Sequence, residues 1–433
     1  MITLTTDWLA AQWAGLRANG SVPVPLAMWD GGDCYTLASL GPLSAPHVVF
    51  GTVALVGRED VTSKVRIWLK PITNSVPRPS GCFQSPDGDW YFAEGQVDAD
   101  RRTRNSVSVR VIDITSSLDE RRATFLESGL LTNTTVLVIG LGTGGAQAAV
   151  ELAKAGVGRF LLVDPDRLEV GNIGRHLAGI SHVGRQKTQV IRDLLLEKNP
   201  ALLAESYPIA AEPESLEVVR GLVRRTDLVL CATDGRASKL LINRLCVEER
   251  KPLIIGGAFR RAYGGQVFRA RPGQSPCYHC FVMAMPEKEA DREISSPEDA
   301  QAVAYSDQPV AVEPGLSLDV APIALMMAKL ALQELLIDKP SLLHALDRDF
   351  SAPWYLWINR PEPQTDYAAL PPLSESFEDN TMTILRWYGV HLERDAGCPT
   401  CGNFEHALRE AYELRDPQLP ALQAGSLPPG VRL

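Results

Sequence analysis

The segment Val136-Leu-Val-Ile-Gly-Leu-Gly-Thr-Gly-Gly145 joins an apolar run to a glycine-rich turn. An alanine-rich stretch follows at 146–155, and a second apolar run, Phe160-Leu-Leu-Val163, ends at Asp164. This is the order of strand, turn, helix, strand and acidic residue in a mononucleotide-binding β-α-β unit. Glycines let the backbone approach a phosphate, and the first turn of a helix offers free N–H groups to an anion. Asp164, about twenty residues beyond the glycines, is placed to accept hydrogen bonds from ribose hydroxyls.

Apolar and amphipathic segments continue to alternate beyond Asp164, which extends this unit into a larger sheet. We predict helices at 187–197, 213–224, 238–249 and 322–336, strands at 204–209, 228–232, 253–255 and 263–268, and late strands or short helices at 356–358 and 382–387. Strands that alternate with helices of this length predict a mostly parallel sheet flanked by helices. The predicted fold class is therefore α/β and Rossmann-like.

The first 116 residues follow a different pattern. Apolar, β-branched runs predict strands at 47–56, 63–71 and 107–114, while 8–16 reads as a short helix and the proline- and glycine-rich stretch 77–89 as a long loop. We predict that the chain has five segments. Residues 1–116 form a small N-terminal β-rich α+β domain of unknown role, and residues 117–283 form a nucleotide-binding domain that begins with a helix at 118–130. A polar crossing loop (284–316), the C-terminal part of the nucleotide-binding domain (317–415) and a flexible tail (416–433) follow.

Composition excludes several classes of protein. The 433 residues are 45% apolar and 22% charged, as in an ordinary globular protein with a large core. The net charge of −9 argues against a nucleic-acid-binding surface. No apolar run reaches the roughly 18 residues of a membrane span, and the N-terminus lacks the pattern of a signal peptide. We expect a cytoplasmic protein that binds neither membranes nor nucleic acid.

Four of the eight cysteines form two pairs, Cys277-x-x-Cys280 and Cys398-x-x-Cys401. In a reducing compartment such pairs indicate zinc more often than disulfides. Four thiolates complete a tetrahedral zinc site and leave no open position for catalysis, so we predict a structural zinc ion. An unmetallated or redox-active pair is the alternative.

Three more motifs lie between the glycine turn and the cysteines: Asp164-x-Asp166-x-x-Glu169-x-x-Asn172-x-x-Arg175, Gly184-x-x-Lys187 and Thr233-Asp234. In order and spacing, the whole series resembles the ThiF/MoeB and ubiquitin-activating (E1-like) adenylyltransferases over roughly residues 117 to 405. The resemblance implies an enzyme that uses ATP and Mg²⁺ to adenylate the C-terminal carboxylate of a small protein, with release of pyrophosphate. It also implies that the paired cysteines bind structural zinc.

The resemblance implies roles for individual residues. Arg175 and Lys187 would contact phosphate oxygens, Asn172 would orient them, Asp164 would take the ribose, and Asp234 would hold magnesium, which suits a reaction that depends on charge neutralisation. Arg175, Lys187 and Asp234 are the predicted catalytic residues. The predicted nucleotide site comprises Gly140, Gly142, Gly145, Asp164, Asp166, Asn172, Arg175, Lys187 and Asp234. A structural role remains open for Asp166, as does a surface ion-pair role for Arg175 and Lys187, and Arg121 or Arg122 is a candidate for an arginine that relatives donate across a dimer.

One departure from the family pattern concerns the step after adenylation. Relatives often carry a cysteine in a Cys-x-Glu-x-Gly stretch before the long helix, whereas this chain has Ala311 in Val310-Ala-Val-Glu-Pro-Gly315. Either the enzyme stops at the acyl-adenylate and a partner's nucleophile attacks it, or a hydroxyl of the crossing loop accepts the acyl group. Ser306 is the nearest candidate for that hydroxyl, with Ser295 and Ser296 further from Ala311 in the chain, and a serine there would need a base or a nearby charge to activate it.

Several functional readings follow. The first is activation of a ubiquitin-like protein for a bacterial ubiquitination-like pathway, with transfer to an E2-like conjugating enzyme. The second is activation of a sulfur-carrier protein in thiamine, molybdopterin or thiolated tRNA synthesis. A non-catalytic scaffold and a nicotinamide-dependent dehydrogenase are weaker alternatives, since Arg175, Lys187 and Asp234 occur together. Family members are commonly dimers, and the apolar helix at 322–336 is compatible with a homodimer.

Overall fold

The computed structural model describes residues 126, 129–285, 315–363, 365, 367–370 and 382–402, together with the backbone of eight strands between residues 2 and 112. The chain divides into two compact units, Met1–Thr124 and Phe125–Leu433. Ser306, Ala311, Arg121, Arg122 and the predicted helix at 8–16 lie outside the described residues.

The first unit contains an eight-stranded sheet in the order β5-β4-β2-β3-β1-β8-β7-β6. Strand β1 is parallel to β3 and β8, and the other pairs are antiparallel. The strands are β1 (Ile2–Thr5), β2 (Ser21–Asp30), β3 (Tyr35–Ala38), β4 (His47–Leu55), β5 (Val65–Lys70), β6 (Pro79–Gln84), β7 (Trp90–Glu94) and β8 (Asn105–Ile112). The predicted strands at 47–56, 63–71 and 107–114 correspond to β4, β5 and β8.

Strand β6 corrects the prediction of a long loop at 77–89. It begins with Pro79, and its register against β7 shifts between Pro79 and Cys82. Proline is tolerated at the first residue of a strand and on an edge strand, where its missing N–H breaks no ladder bond. Glycine and proline in this stretch therefore mark an irregular edge strand.

The second unit is built on a mixed eight-stranded sheet in the order β11-β10-β9-β12-β13-β14-β15-β16. Its strands are β9 (Thr135–Ile139), β10 (Arg159–Val163), β11 (Leu203–Tyr207), β12 (Leu228–Cys231), β13 (Leu253–Ala258), β14 (Gly264–Ala270), β15 (Trp354–Ile358) and β16 (Trp387–Val390). The five strands β9 to β13 are parallel, as predicted, and the three that follow are antiparallel.

Within the described residues, six helices cover the two faces of this sheet, which confirms the predicted α/β architecture. They are α1 (Thr143–Lys154), α2 (Lys187–Lys198), α3 (Leu216–Arg224), α4 (Arg236–Glu248), α5 (Tyr278–Ala284) and α6 (Ser317–Leu336). Buried residues of α1, α2 and α6 share one apolar core, and those of α3, α4 and α5 share another. Two glycines let α6 lie directly on the sheet, because a Cβ at Gly256 or Gly265 would come within 2.0 Å of Met327 or Ile323.

Three predicted elements have different bounds in the structure. Helix α6 begins at Ser317 and contains Pro322, which had been expected to start it. Residues 382–386 of the predicted segment at 382–387 form neither a strand nor a helix, Leu385 has a positive φ of 57°, and the last strand begins at Trp387 and runs to Val390. The last residues of the predicted helix at 118–130 form a turn at Gly129, where φ is 82°. No helix in the described part of the chain is both long and apolar enough to cross a bilayer.

A tight connection joins β13 to β14 through the 3₁₀ turn Arg260–Ala262. Arg261 and Ala262 have positive φ angles of 54° and 48°, which side chains other than glycine seldom adopt. Asn359 donates to the Ala262 carbonyl over 2.7 Å, and Arg360 donates to the Arg261 carbonyl over 2.7 Å. The turn is thus held in a strained conformation by residues that follow β15.

The order of the parallel strands defines where a ligand would bind. Strand β9 lies between β10 and β12, so the chain turns to one side of β9 first and to the other side later. In open α/β sheets, ligands bind in the crevice at the carboxyl ends of the strands where the order reverses. Gly140, Asp164 and Thr233-Asp234 follow the carboxyl ends of β9, β10 and β12, which places all three predicted motifs along this edge.

Candidate functional site

The three predicted glycines of the turn differ in their surroundings. Gly140 has a φ of +89°, and a Cβ there would lie 2.7 Å from the carbonyl of Ala232 beyond β12. A Cβ at Gly145 would lie only 1.9 Å from the Gly140 carbonyl oxygen. Gly142, the N-cap residue of α1, would present its Cβ to open space with no atom within 4 Å. Packing therefore requires Gly140 and Gly145, and Gly142 marks the open side of the turn.

Asp164 is buried directly beneath this turn. One carboxylate oxygen accepts from the Leu141 N–H over 2.7 Å, and the other accepts from the Asp166 N–H over 2.9 Å. Burial raises the pKa of Asp164 above its ordinary value, while the Leu141 N–H and Lys187 act in the opposite direction. Each carboxylate oxygen has a second lone pair available to a ribose hydroxyl. Asp164 thus holds the turn, a contribution that its predicted role did not include.

Lys187 and Asp166 form an ion pair. Lys187 is the first residue of α2, and its ammonium donates to an Asp166 carboxylate oxygen over 2.7 Å. The Lys187 side chain is 11% exposed and that of Asp166 is 61% exposed. The Lys187 N–H also donates to the Asp166 carbonyl over 3.0 Å. Of the two roles left open for Asp166, these contacts support the structural one, since Asp166 fixes the start of α2.

Asn172 shapes the turn that carries Arg175. Its side-chain carbonyl accepts from the Glu169 N–H over 3.0 Å, and its main-chain carbonyl accepts from the N–H groups of Arg175 and His176. Arg175 is half-buried, and the described residues provide no hydrogen-bond or ion-pair partner for its guanidinium. A half-buried cation held in this way is suited to binding an anion.

The sequence-based reasoning missed the structural role of His176. This buried side chain donates from Nε2 to the Leu141 carbonyl over 2.9 Å, and its Nδ1 accepts from the Ala178 N–H over 3.1 Å. Burial lowers the pKa of His176 below its ordinary value.

Asp234 lies in the short loop between β12 and α4. It is exposed, and no described residue forms a hydrogen bond or ion pair with its carboxylate. The loop is held by Ser238, whose hydroxyl lies 2.8 Å from both the Thr233 hydroxyl and the Gly235 carbonyl. A carboxylate oxygen is the kind of ligand that Mg²⁺ prefers, so Asp234 fits the predicted magnesium role.

The two cysteine pairs meet although more than a hundred residues separate them in the chain. The Sγ atoms of Cys277, Cys280, Cys398 and Cys401 all lie within 4.8 Å of one another, and all four residues are largely buried. Tetrahedral zinc with bonds of about 2.3 Å places its sulfur ligands about 3.8 Å apart. The observed Cys277–Cys398 and Cys280–Cys401 separations of 3.6 and 3.3 Å are close to that value. This cluster can hold a metal ion.

Both halves of the cysteine cluster are anchored to the fold. The Tyr278 N–H, at the start of α5, donates to the Asn243 side chain of α4 over 2.8 Å. The Gly402 N–H donates to the Cys398 carbonyl over 2.8 Å, and a Cβ at Gly402 would lie 2.3 Å from the Ala396 carbonyl oxygen. The cluster thereby joins the segment beyond β16 to the helices on one face of the sheet.

Comparison with known proteins decides the family. The ThiF family matches residues 123–348, which is more than half of the chain. The chain belongs to the ThiF family. This confirms the family predicted from the order of the motifs. The match includes every residue of the predicted nucleotide site and the first cysteine pair.

The ThiF-family relatives include enzymes that are named for two activities. The "Adenylyltransferase and sulfurtransferase MOCS3" of Drosophila virilis is 36% identical over 162 residues, which is 37% of this chain and 35% of that protein. MOCS3-1 of Zea mays is 31% identical over 209 residues, covering 48% and 42%. The "Adenylyltransferase and sulfurtransferase UBA4" of Candida albicans is 33% identical over 168 residues, covering 38% and 37%. The alignments thus span well under half of the length of these relatives.

Solved structures of another protein are similar in part. E. coli MccB with AMPCPP and SeMeT MccA is 17% identical, covers 70% of this chain and 76% of that chain, and has a TM-score of 0.47. E. coli MccB with ATP is 17% identical, covers 63% and 67%, and has a TM-score of 0.43. Likeness at this level carries no conclusion about the reaction.

Proposed function

We propose that this ThiF-family protein is an ATP-dependent adenylyltransferase that activates the C-terminal carboxylate of a small carrier protein. The observation that carries the proposal is the open side of the glycine turn at Gly142, located where the strand order reverses and next to Asp164. The names of the relatives, which include adenylyltransferase, support the same activity.

In the proposed reaction, a carboxylate oxygen of the carrier attacks the α-phosphorus of ATP and pyrophosphate leaves. Negative charge builds on the phosphates, so the protein's contribution is to position the reactants and neutralise charge. We assign Arg175 and Lys187 to the phosphates, Asp164 to the ribose and the N–H groups around Gly142 to a phosphate oxygen. The Lys187 ammonium would donate to a phosphate oxygen, either in place of the Asp166 carboxylate or in addition to it. Asp234 would hold a magnesium ion, which would neutralise phosphate charge.

The comparisons favour a different kind of carrier protein from the one that the sequence analysis put first. The sequence placed a ubiquitin-like protein for conjugation first, and the relatives are named sulfurtransferases as well as adenylyltransferases. We therefore propose a sulfur-carrier protein as the substrate and keep the ubiquitin-like protein, passed to an E2-like enzyme, as the second candidate. The sulfurtransferase part of those names belongs to the relatives, of which the aligned stretch is less than half.

Pyrophosphate exchange tests the adenylation step. Labelled pyrophosphate should enter ATP only when Mg²⁺ and a carrier with a free C-terminus are present. Arg175→Ala and Asp234→Ala should each reduce the exchange rate by about 10²–10³-fold, as expected for the loss of a group that stabilises developing charge. Asp338→Ala, which alters an exposed carboxylate just beyond α6, is the matched control and should exchange normally.

The same assay separates the candidate functions. Faster exchange with sulfur carriers than with ubiquitin-like proteins would support the proposed substrate, and the reverse preference would favour conjugation. ATP binding without exchange for any carrier would contradict the proposed activity and favour the scaffold. Binding of NAD in place of ATP would favour a dehydrogenase.

The fate of the acyl group remains a proposal that rests on residues outside the described part of the chain. In the oxyester route, the Ser306 hydroxyl oxygen attacks the acyl carbon, AMP leaves with the bonding electrons, and the hydroxyl proton passes to solvent. Intact-protein mass spectrometry should then show a carrier adduct that hydroxylamine removes and that Ser306→Ala abolishes, with Ser295→Ala as control. An adduct that persists in Ser306→Ala would exclude this route.

Light scattering of the same samples would test the predicted homodimer.

We propose that the cysteine cluster binds one structural zinc ion. The four buried sulfurs and their separations support this, and four protein ligands leave no coordination position for a substrate. Elemental analysis should find about one zinc per chain. Cys398→Ser should lose zinc and unfold at lower temperature, whereas Cys246→Ser, at a buried cysteine outside the cluster, should retain zinc. Full zinc content in Cys398→Ser would contradict the assignment.

A further inference from the structure

The peptide groups of Leu141 are fixed from two directions. The Leu141 N–H donates to Asp164 at the end of β10 over 2.7 Å, and the Leu141 carbonyl accepts from Nε2 of His176 over 2.9 Å. Leu141 stands between Gly140 and Gly142, at the centre of the turn whose open side faces the proposed ligand. The Gly140 N–H also donates to the Val163 carbonyl over 2.9 Å, and the three hydrogen bonds together orient the turn.

The second contact of His176 fixes which nitrogen carries the proton. The Ala178 N–H donates to Nδ1 over 3.1 Å, so Nδ1 must be the unprotonated nitrogen and Nε2 must carry the hydrogen. The neutral imidazole thus acts as a bridge that accepts at one end and donates at the other. It connects the segment carrying Arg175 to the glycine turn 35 residues earlier in the chain.

We propose that His176 is a positioning residue, which holds the phosphate-facing glycine turn and Arg175 in one arrangement through its hydrogen bond to the Leu141 carbonyl. The inference rests on the proposed nucleotide site, and it goes beyond that proposal by assigning a function to a side chain that touches no substrate. Glutamine at this position can make the same bond to the Leu141 carbonyl, because its amide nitrogen reaches as far as Nε2 of histidine. The amide nitrogen of asparagine reaches only as far as Nδ1, so asparagine cannot make this bond.

Protonation should release the Ala178 end of the bridge, while the Nε2–H donor to the Leu141 carbonyl remains. An imidazolium carries hydrogen on both nitrogens and cannot accept from the Ala178 N–H. The charged groups facing the ring are Lys187 from α2 and Arg175 from its own segment, which disfavour protonation, and Asp164 from β10, which favours it. Burial and the two cations hold the pKa of His176 below the ordinary histidine range, so both contacts are present at neutral pH and the Ala178 contact is lost only as the solution becomes acidic.

A set of variants separates positioning from a general structural role. His176→Gln should keep ATP affinity within about twofold of wild type, because it retains the donor to Leu141. His176→Asn and His176→Ala should weaken ATP binding by about tenfold, because they leave the buried Leu141 carbonyl without its partner. His182→Gln, on the same segment but in contact with Arg185, is the matched control. Urea unfolding of each variant shows whether the fold itself has changed.

Two further readouts bear directly on the mechanism. Wild type should lose ATP affinity at acidic pH more steeply than His176→Gln, because the imidazole is the one titrating side chain that the two proteins do not share and its protonation removes the Ala178 contact. Hydrogen exchange of the peptide containing residues 140–146 should accelerate in His176→Asn and remain slow in His176→Gln. The exchange measurement requires no nucleotide, so it tests the bridge even if ATP fails to bind and the proposed function falls.

Agreement between ATP affinity and exchange across the set would support the inference. Equal behaviour of all variants would overturn it, because the bridge would then contribute nothing to the turn. Equal loss in His176→Gln and His176→Asn would also overturn it, because the donor to Leu141 would not be the contact that matters.

Discussion

Two glycines three residues apart in the same turn should respond in opposite ways to the same substitution. Alanine at Gly145 would place its Cβ 1.9 Å from the Gly140 carbonyl oxygen, so the two atoms would have to move apart by more than about 1 Å. The clashing atom belongs to the backbone of the turn that joins β9 to α1, and it has no rotamer through which to escape. Alanine at Gly142 would meet no atom within 4 Å, at a φ of −71° that alanine readily adopts.

The magnitudes follow from these contacts. Overpacking typically costs 1–3 kcal/mol, and the rigid neighbour places Gly145→Ala near the upper end, at about 3 kcal/mol. At about 2–4 °C per kcal/mol for a domain of this size, the melting temperature should fall by about 6–12 °C. Gly142→Ala should change the free energy of unfolding by no more than about 0.5 kcal/mol. Its methyl group would occupy the space through which a phosphate approaches, and ATP should bind at least about tenfold more weakly, or about 1.4 kcal/mol.

Thermal unfolding and calorimetric ATP titration, applied to the same preparations, measure both effects. Gly144→Ala is the control, because its Cβ would lie 3.8 Å from Val320, an ordinary contact, and it should melt no lower than wild type and bind ATP normally. Wild-type ATP affinity in Gly142→Ala would refute the assignment of the open side to phosphate. Wild-type stability in Gly145→Ala would refute the packing argument.

Two further predictions concern charged groups away from the glycine turn. Glu334 of α6, whose side chain is 2% exposed, forms ion pairs with the buried Arg269 and with Arg271. Glu334→Gln should therefore lower the free energy of unfolding, measured by urea titration, by about 3–5 kcal/mol, whereas the surface control Glu248→Gln should lower it by less than about 1 kcal/mol. Equal losses in the two variants would contradict the buried-pair argument. Burial acts to raise the pKa of Asp193, but hydrogen bonds from Arg185 and Arg192 outweigh burial and leave the pKa below its ordinary value. The Asp193 carboxylate therefore stabilises the fold at pH values above its unfolded-state pKa, and this stabilisation is lost as the pH falls through the folded-state pKa. Asp193→Asn should therefore be less stable than wild type at neutral pH and should approach it in acid, and a difference that stayed constant with pH would contradict this.

The parallel half of the second sheet could be predicted from sequence because its central strands are buried on both faces, although the edge strand β11 is not. Leu228–Cys231, for example, is apolar at every position and buried throughout, as a central strand must be. The antiparallel half was not predictable in the same way. Whether a strand runs parallel or antiparallel to its neighbour depends on pairing between distant segments, as between Gly264–Ala270 and Trp354–Ile358.

The sequence predicted which residues belong to the candidate site better than it predicted how those residues contact one another. Motif spacing pointed to Asp164, Arg175 and Lys187, and the structure places Asp164 and Lys187 in contact with the turn segments that follow β9 and β10. The same spacing could not show that Gly145 serves packing while Gly142 faces open space. Nor could it show that His176 reaches the Leu141 carbonyl, because the hydrogen bond depends on how the two loops approach one another.

The strained turn between β13 and β14 has a consequence for the order in which the chain can fold during synthesis. Arg261 and Ala262 adopt left-handed conformations that disfavour an isolated hairpin, and their carbonyls are held by Arg360 and Asn359. Asn359 also donates to the Asp319 carbonyl at the start of α6 over 2.9 Å. A ribosome must therefore release about a hundred residues beyond the turn before it acquires its stabilising contacts. The parallel strands have by then already emerged, so we expect the antiparallel half of the sheet to close after the parallel half.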